Sequence, residues 1–127
     1  MTTKKKVLII DDSRTVRQQI ALTLISAGYQ VVEAGDGKEG LAALVEHADV
    51  SVVLCDLNMP CMNGFEFLKS FKSGGAHPGV SVVMLTTDGS PDLVAQAKRA
   101  GAKGWIVKPF QPELLLAAVR RLSGEPE

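Results

Sequence analysis

The chain has 127 residues, 46% of them hydrophobic and 22% charged, which fits one soluble domain with a single core and excludes a disordered chain. Lys and Arg total 14 against 14 Asp and Glu, so no global field marks the protein for nucleic acid or membrane surfaces. No apolar run reaches the ~20 residues of a membrane span, and the charged N-terminus has no apolar stretch behind it.

The run Lys4-Lys5-Lys6 reads as a solvated lead-in to a first strand, Val7-Leu8-Ile9-Ile10, which ends in Asp11-Asp12. Asp12-Ser13 can cap a helix whose apolar spacing is marked by Val16, Ile20 and Leu24. Ala27-Gly28 closes that helix with a glycine able to adopt the left-handed conformation. A second strand around Val31-Val32 ends near Ala34-Gly35, and Leu41, Leu44 and Val45 mark the second helix. The third strand, Val52-Val53-Leu54-Cys55, delivers Asp56 to its tip, and Phe65, Leu68 and Phe71 mark the helix after it. From Val80 to Leu85 runs a fourth strand ending in Thr86-Thr87; Ser90-Pro91 then caps and opens a helix marked by Leu93, Val94 and Ala97. Ala100-Gly101 stops it, Trp105-Ile106-Val107 forms the fifth strand ending in Lys108, and Gln111-Pro112-Glu113 opens a last helix through Leu115, Val119 and Leu122.

Short β-branched runs alternating with helical spacing predict a doubly wound α/β domain with a parallel sheet and right-handed crossovers. Ligands of such sheets gather outside the carboxyl ends of the strands. Those ends carry Asp11-Asp12, Asp56, Thr86-Thr87 and Lys108, whereas the second strand contributes nothing chemical. Two carboxylates about 4 Å apart repel by roughly 4 kcal/mol at an effective dielectric of 20. Lys108 cannot neutralise three acids, but a hard divalent cation with oxygen ligands can, which points to Mg²⁺ without distinguishing it from Mn²⁺. A carboxylate beside such an ion, a lysine and a hydroxyl is equipped to accept a phosphoryl group. Asp56, alone at the tip of a central strand, is the expected nucleophile, and Thr86 would hydrogen-bond the new phosphoryl oxygen.

Asp11-Asp12, Asp56, Thr86 and Lys108-Pro109-Phe110, in that order, resemble the receiver domain of two-component response regulators, in its stand-alone chemotaxis form. Met59-Pro60-Cys61-Met62-Asn63-Gly64 and Gly101-Ala102-Lys103-Gly104 fit the same family, and the resemblance runs from about Lys6 to Leu122. It implies a single flavodoxin-like (βα)5 receiver domain over 1–127 with strand order 2-1-3-4-5. Also implied are Asp56 as phosphoacceptor and Mg²⁺ held by Asp12, Asp56 and the Asn58 carbonyl, with Asp11 acting through water. Thr86 becomes the switch hydroxyl, Lys108 contacts the phosphoryl group, and the Lys108-Pro109 bond is cis. A sensor histidine kinase is the implied phosphodonor, and the implied target is a flagellar motor switch or a histidine phosphotransfer protein. No nucleic acid or membrane partner is expected, nor any output domain after the last helix, and the expected state is a cytoplasmic monomer.

Trp105 stands where the family carries Tyr or Phe, and reads equally as a switch aromatic or as packing. Thr87 is bulkier than the family's usual residue, and with Asn58 and Asp88 it is expected to tune rates. Cys55 and Cys61 read as free thiols, His47 and His77 as surface residues, and Met59, Met62 and Met84 as packing. Two other classes share features with the chain. A haloacid-dehalogenase-type phosphatase needs a second acid where Asn58 stands, and a flavodoxin-like FMN protein would find its phosphate repelled by Asp11-Asp12.

Overall fold

The computed structural model describes residues 5–59, 62–74 and 79–123. The expectations for Cys61 and His77 lie outside these. Ten elements alternate: β1 (Lys6–Ile10), α1 (Arg14–Ser26), β2 (Gln30–Ala34), α2 (Gly37–Glu46), β3 (Val50–Asp56), α3 (Gly64–Gly74), β4 (Ser81–Thr86), α4 (Pro91–Arg99), β5 (Gly104–Val107) and α5 (Pro112–Ser123). All strand pairs are parallel, in the order β2-β1-β3-β4-β5.

The two-residue period of the strands sorts their side chains onto two cores. Leu8, Ile10, Val53, Cys55, Val82 and Met84 face α2, α3 and α4 through Leu44, Phe67, Leu68 and Ala97. Val7, Ile9, Val52, Leu54, Val83 and Leu85 face α1 and α5 through Ile20, Leu24, Leu115 and Val119. Burial on both faces explains why these strands read as continuous apolar runs. Asp56 and Thr86 end strands that are otherwise wholly apolar beyond Ser51 and Ser81, so their polar groups emerge only at the carboxyl edge.

Helix ends are set as the sequence suggests, although Ser90 lacks a side-chain capping bond, and one apolar marker falls outside its seam. Ser13 caps α1 by accepting from the Val16 amide at 3.3 Å. Ser90 occupies the N-cap of α4 but its side chain makes no capping bond; instead its amide donates to Asp88 Oδ1 at 2.9 Å. Val45 does not belong to the apolar seam of α2, being 78% exposed, because it lies a further 100° round the helix from the buried Leu44. Gly28 and Gly101 end α1 and α4 with φ of 97° and 106°, the left-handed region expected of them. α3 opens on a reciprocal box in which the Glu66 amide donates to Asn63 Oδ1 at 2.9 Å and the Asn63 amide to Glu66 Oε1 at 2.8 Å. No helix among the described residues is long and apolar enough to cross a membrane.

Candidate functional site

Parallel pairing brings the ends of β1, β3, β4 and β5 to one edge. Asp11 and Thr86 are fully buried and Asp56 is 6% exposed. Asp12 reaches solvent. Asp11, Asp12 and Asp56 each offer a carboxylate oxygen, and these oxygens lie within 4.8 Å of one another. Lys108 closes the group: its Nζ donates to Asp11 Oδ2 at 2.8 Å and to Asp56 Oδ1 at 3.2 Å. The peptide bond between Lys108 and Pro109 is cis, as expected.

Asp11 is held on every side. Its amide donates to the Ala34 carbonyl at 3.1 Å, and its Oδ1 accepts from the Ser13 amide at 2.8 Å. Burial, reinforced by the charge of Asp11, pushes the Asp56 carboxyl above its ordinary range, and Lys108 does not fully compensate. Burial works against the charged form of Lys108, yet its bonds to Asp11 and Asp56 prevail and hold its pKa above the usual lysine value. The site therefore has a fixed ammonium and three acids, one of them ionised at a cost. Cys55 adds no soft ligand, since burial pushes its thiol pKa upward and its Sγ donates to the Asp56 carbonyl at 3.4 Å. An all-oxygen, net-negative donor set of this kind fits a hard divalent cation such as Mg²⁺.

The remaining expected residues fall around this centre. Thr86 Oγ1 accepts from the Asp88 amide at 3.1 Å, so the hydroxyl ties down the turn after β4. Thr87 is exposed and lines a cavity of about 430 Å³ with Lys108, Val16, Gln19 and Phe110. Asn58 and Asp88 are exposed beside the site. Trp105 pairs in register with Met84 and packs against the core under α4. Its Nε1 is buried and lacks a hydrogen-bond partner among the described residues. A buried donor without a partner costs about 1–3 kcal/mol, which offsets part of what the indole gains by packing. Trp105→Phe is therefore expected to change stability by less than about 1 kcal/mol in urea unfolding, because lost area and relieved desolvation oppose each other. A loss above about 2 kcal/mol would mean that the indole N–H does find a partner.

Sequence reasoning overlooked Arg17. Its Nη1 donates to the Asp11 carbonyl at 2.6 Å and its Nε to Glu33 Oε1 at 3.1 Å. An arginine in the first turns of an amphipathic helix carries no local signal of such a role, since both partners lie outside α1. The reciprocal Asn63 and Glu66 box was legible as a spacing but lay within a stretch read for its loop.

Fold and site together define a doubly wound α/β domain whose carboxyl edge gathers acids around a lysine in readiness for a cation. The model of the response regulator receiver domain matches residues 7–120. The chain is 40% identical over 111 residues to chemotaxis protein CheY1 of Helicobacter pylori, covering 87% of this chain and 90% of that one. It is 33% identical over 121 residues to chemotaxis protein CheY of Thermotoga maritima, covering 94% and 98%. The crystal structure of Vibrio cholerae chemotaxis protein CheY4 superposes with a TM-score of 0.88 at 43% identity, covering 94% of this chain and 99% of that one. The protein belongs to the response regulator receiver domain family.

Proposed function

We propose that this chain is a single receiver domain acting as a phosphorylation switch in chemotaxis signalling, with Asp56 as phosphoacceptor and a sensor histidine kinase as donor. The observation that carries this reading is the bridge from Lys108 to both Asp11 and Asp56, beside the buried Thr86 hydroxyl on the neighbouring strand. An Asp56 carboxylate oxygen attacks the phosphorus of a phosphohistidine. The P–O bond forms as the P–N bond breaks, and the departing imidazole takes up a proton. Lys108 stabilises charge on the transferring oxygens. Asp12, Asp56 and the Asn58 carbonyl, with Asp11 behind them, would hold Mg²⁺, which would supply further neutralisation of the transferring group's charge. The chain's part is to hold these groups in place and keep the nucleophile ionised beside a fixed cation.

The readout follows from Thr86. Drawing the Thr86 hydroxyl toward a phosphoryl oxygen, to which it donates, lengthens the bond that the same oxygen accepts from the Asp88 amide, and Asp88 also holds the Ser90 amide at the start of α4. Loosening this turn biases the packing of α4 against Trp105, a local charge change read by a two-state element. The face so altered includes a groove of about 470 Å³ lined by Trp105, Val107, Leu114 and Arg121, with Leu114 61% exposed. A protein target such as a flagellar motor component docks there. Thr87, Asn58 and Asp88 set the rate by narrowing or polarising the approach to Asp56.

Acetyl phosphate labelling followed by intact mass and by Trp105 fluorescence tests this. One phosphoryl group per chain, strictly dependent on Mg²⁺ and absent in Asp56→Asn, is the expected result. Labelling that persists in the variant, or that ignores Mg²⁺, sinks the mechanism.

A further inference from the structure

We propose that Arg17 is a positioning residue for the acidic site, bracing with Glu33 the turn between β1 and α1 so that Asp12 meets a divalent cation in register with Asp56. The inference rests on the reading of the site given above and extends it to residues outside the cluster of acids.

The Asp11 carbonyl belongs to the peptide that joins Asp11 to Asp12, so the plane of that peptide sets the direction in which Asp12 leaves the chain. Arg17 Nη1 donates to this carbonyl at 2.6 Å. The same guanidinium is fixed from the side, because its Nε donates at 3.1 Å to Glu33 Oε1 on β2. A planar fork held at two points transmits orientation, which a single ammonium cannot do. The Arg17 side chain is only 18% exposed and Glu33 40%, so solvent competes weakly at the inner end.

A further contact steadies the brace. Gly35, just beyond β2, donates its amide to Glu39 Oε1 at 2.9 Å. A Cβ at Gly35 would lie 3.4 Å from that oxygen and 3.8 Å from Arg17 Nη1, so the loop passes close to both side chains. Asp11 is then restrained through four groups: its amide by Ala34, its Oδ1 by Ser13, its Oδ2 by Lys108 and its carbonyl by Arg17. β2, whose tip bears no chemistry of its own, takes part through Glu33 and Gly35. Groups that orient metal ligands from behind typically contribute 10–100-fold to metal affinity.

Electrostatics and positioning predict opposite signs, which makes the inference testable. Arg17 is a cation near a site for cations, so if charge alone mattered, its neutralisation would tighten Mg²⁺ binding. If it positions the turn, neutralisation loosens binding. Isothermal titration of Mg²⁺, with no phosphodonor present, should give Arg17→Gln a roughly tenfold weaker affinity than the parent. Arg17→Lys should also be weaker, since the charge is kept and the fork is lost. Glu33→Gln keeps Arg17 and its bond to Asp11 and removes the charge of the lateral anchor. Because losing an anion would itself weaken cation binding, it is titrated at about 1 M salt, where such charge effects are screened. It should still bind severalfold more weakly than the parent there, and it serves as the test if the Arg17 variants fail to fold. Circular dichroism and melting temperature report separately on a merely structural tie between α1 and β2, which would lower stability and leave Mg²⁺ affinity unchanged. Unchanged or tighter binding in folded Arg17→Gln, parental affinity in Arg17→Lys, or parental affinity in Glu33→Gln where that variant alone folds, would overturn the proposal. A parent protein that binds no Mg²⁺ would instead bring down the reading of the site itself, and the brace with it.

Discussion

Asp56→Asn unfolds at a higher temperature than the parent in the absence of divalent cations, and the advantage disappears when Mg²⁺ is saturating. Burial and the neighbouring Asp11 raise the Asp56 pKa in the folded state above the ordinary aspartate range. A group whose folded pKa is raised binds its proton more tightly when folded. For this acid the favourable contribution is present at low pH and is lost as pH rises through the folded value. At neutral pH the ionised Asp56 is consequently a net cost to the metal-free fold.

Lys108 pulls in the other direction, because its own raised pKa reflects stabilisation by both acids. The Asp56 shift decides the sign, since Lys108 keeps its shorter bond to Asp11 at 2.8 Å when Asp56 loses its charge. An asparagine matches the carboxylate in shape and removes the repulsion. The gain should be about 1 kcal/mol, or roughly 2–8 °C in melting temperature. Acidification through the raised Asp56 pKa should narrow the difference, because the parent carboxyl is then protonated as well. Mg²⁺ removes the advantage by stabilising the parent through mass action while finding one charged ligand fewer in the variant. Thermal melts of both proteins, with Mg²⁺ and with chelator, check this; a metal-free variant that melts below the parent would show that the bond from Lys108 outweighs the repulsion.

Gly64→Ala produces the largest structural loss expected from a single methyl group, and it reaches the site. The Gly64 amide donates to the Leu57 carbonyl at 2.8 Å, bringing the start of α3 against the tip of β3. A Cβ there would lie 2.9 Å from the Asp56 carbonyl oxygen and 3.0 Å from Leu57 Cα, with the Met84 methyl group closer still. The backbone at the strand tip cannot rotate away as a side chain can, so the substitution costs about 1–3 kcal/mol and shifts Asp56 itself. Gly40→Ala is the control. Its new methyl meets the end of the Ile10 side chain and the Phe67 ring edge, which can adjust by rotation. Urea unfolding should show the smaller loss for Gly40→Ala, and only Gly64→Ala should also weaken Mg²⁺ binding. Equal losses with unaltered Mg²⁺ binding in both would mean that the tip of β3 yields freely.

Much of the fold was legible because its strands are buried on both faces. Continuous β-branched runs, such as the one ending at Asp56, left little choice of element, and glycines at 28 and 101 marked helix ends through the left-handed conformation they supply. Ser90 shows the limit of such local signals, since it occupies the N-cap without a capping bond from its side chain, and its own amide is held by Asp88. Val45 shows another, because membership of the apolar seam depends on which side of α2 the neighbouring elements cover.

By itself the sequence determined which chemistry could exist here. It placed an acid, a hydroxyl or a lysine directly after each of four apolar runs, and a parallel sheet has only one edge at which those positions can meet. Tertiary structure decided how the groups are held. Lys108 choosing both Asp11 and Asp56, and Arg17 gripping the peptide between two acids while Glu33 of β2 holds its other side, join separate elements, and the indole of Trp105 buries an N–H with no partner among the described residues. Such bonds depend on distances between elements that no local spacing encodes, and they fix the orientation of the acids that the sequence could only bring together.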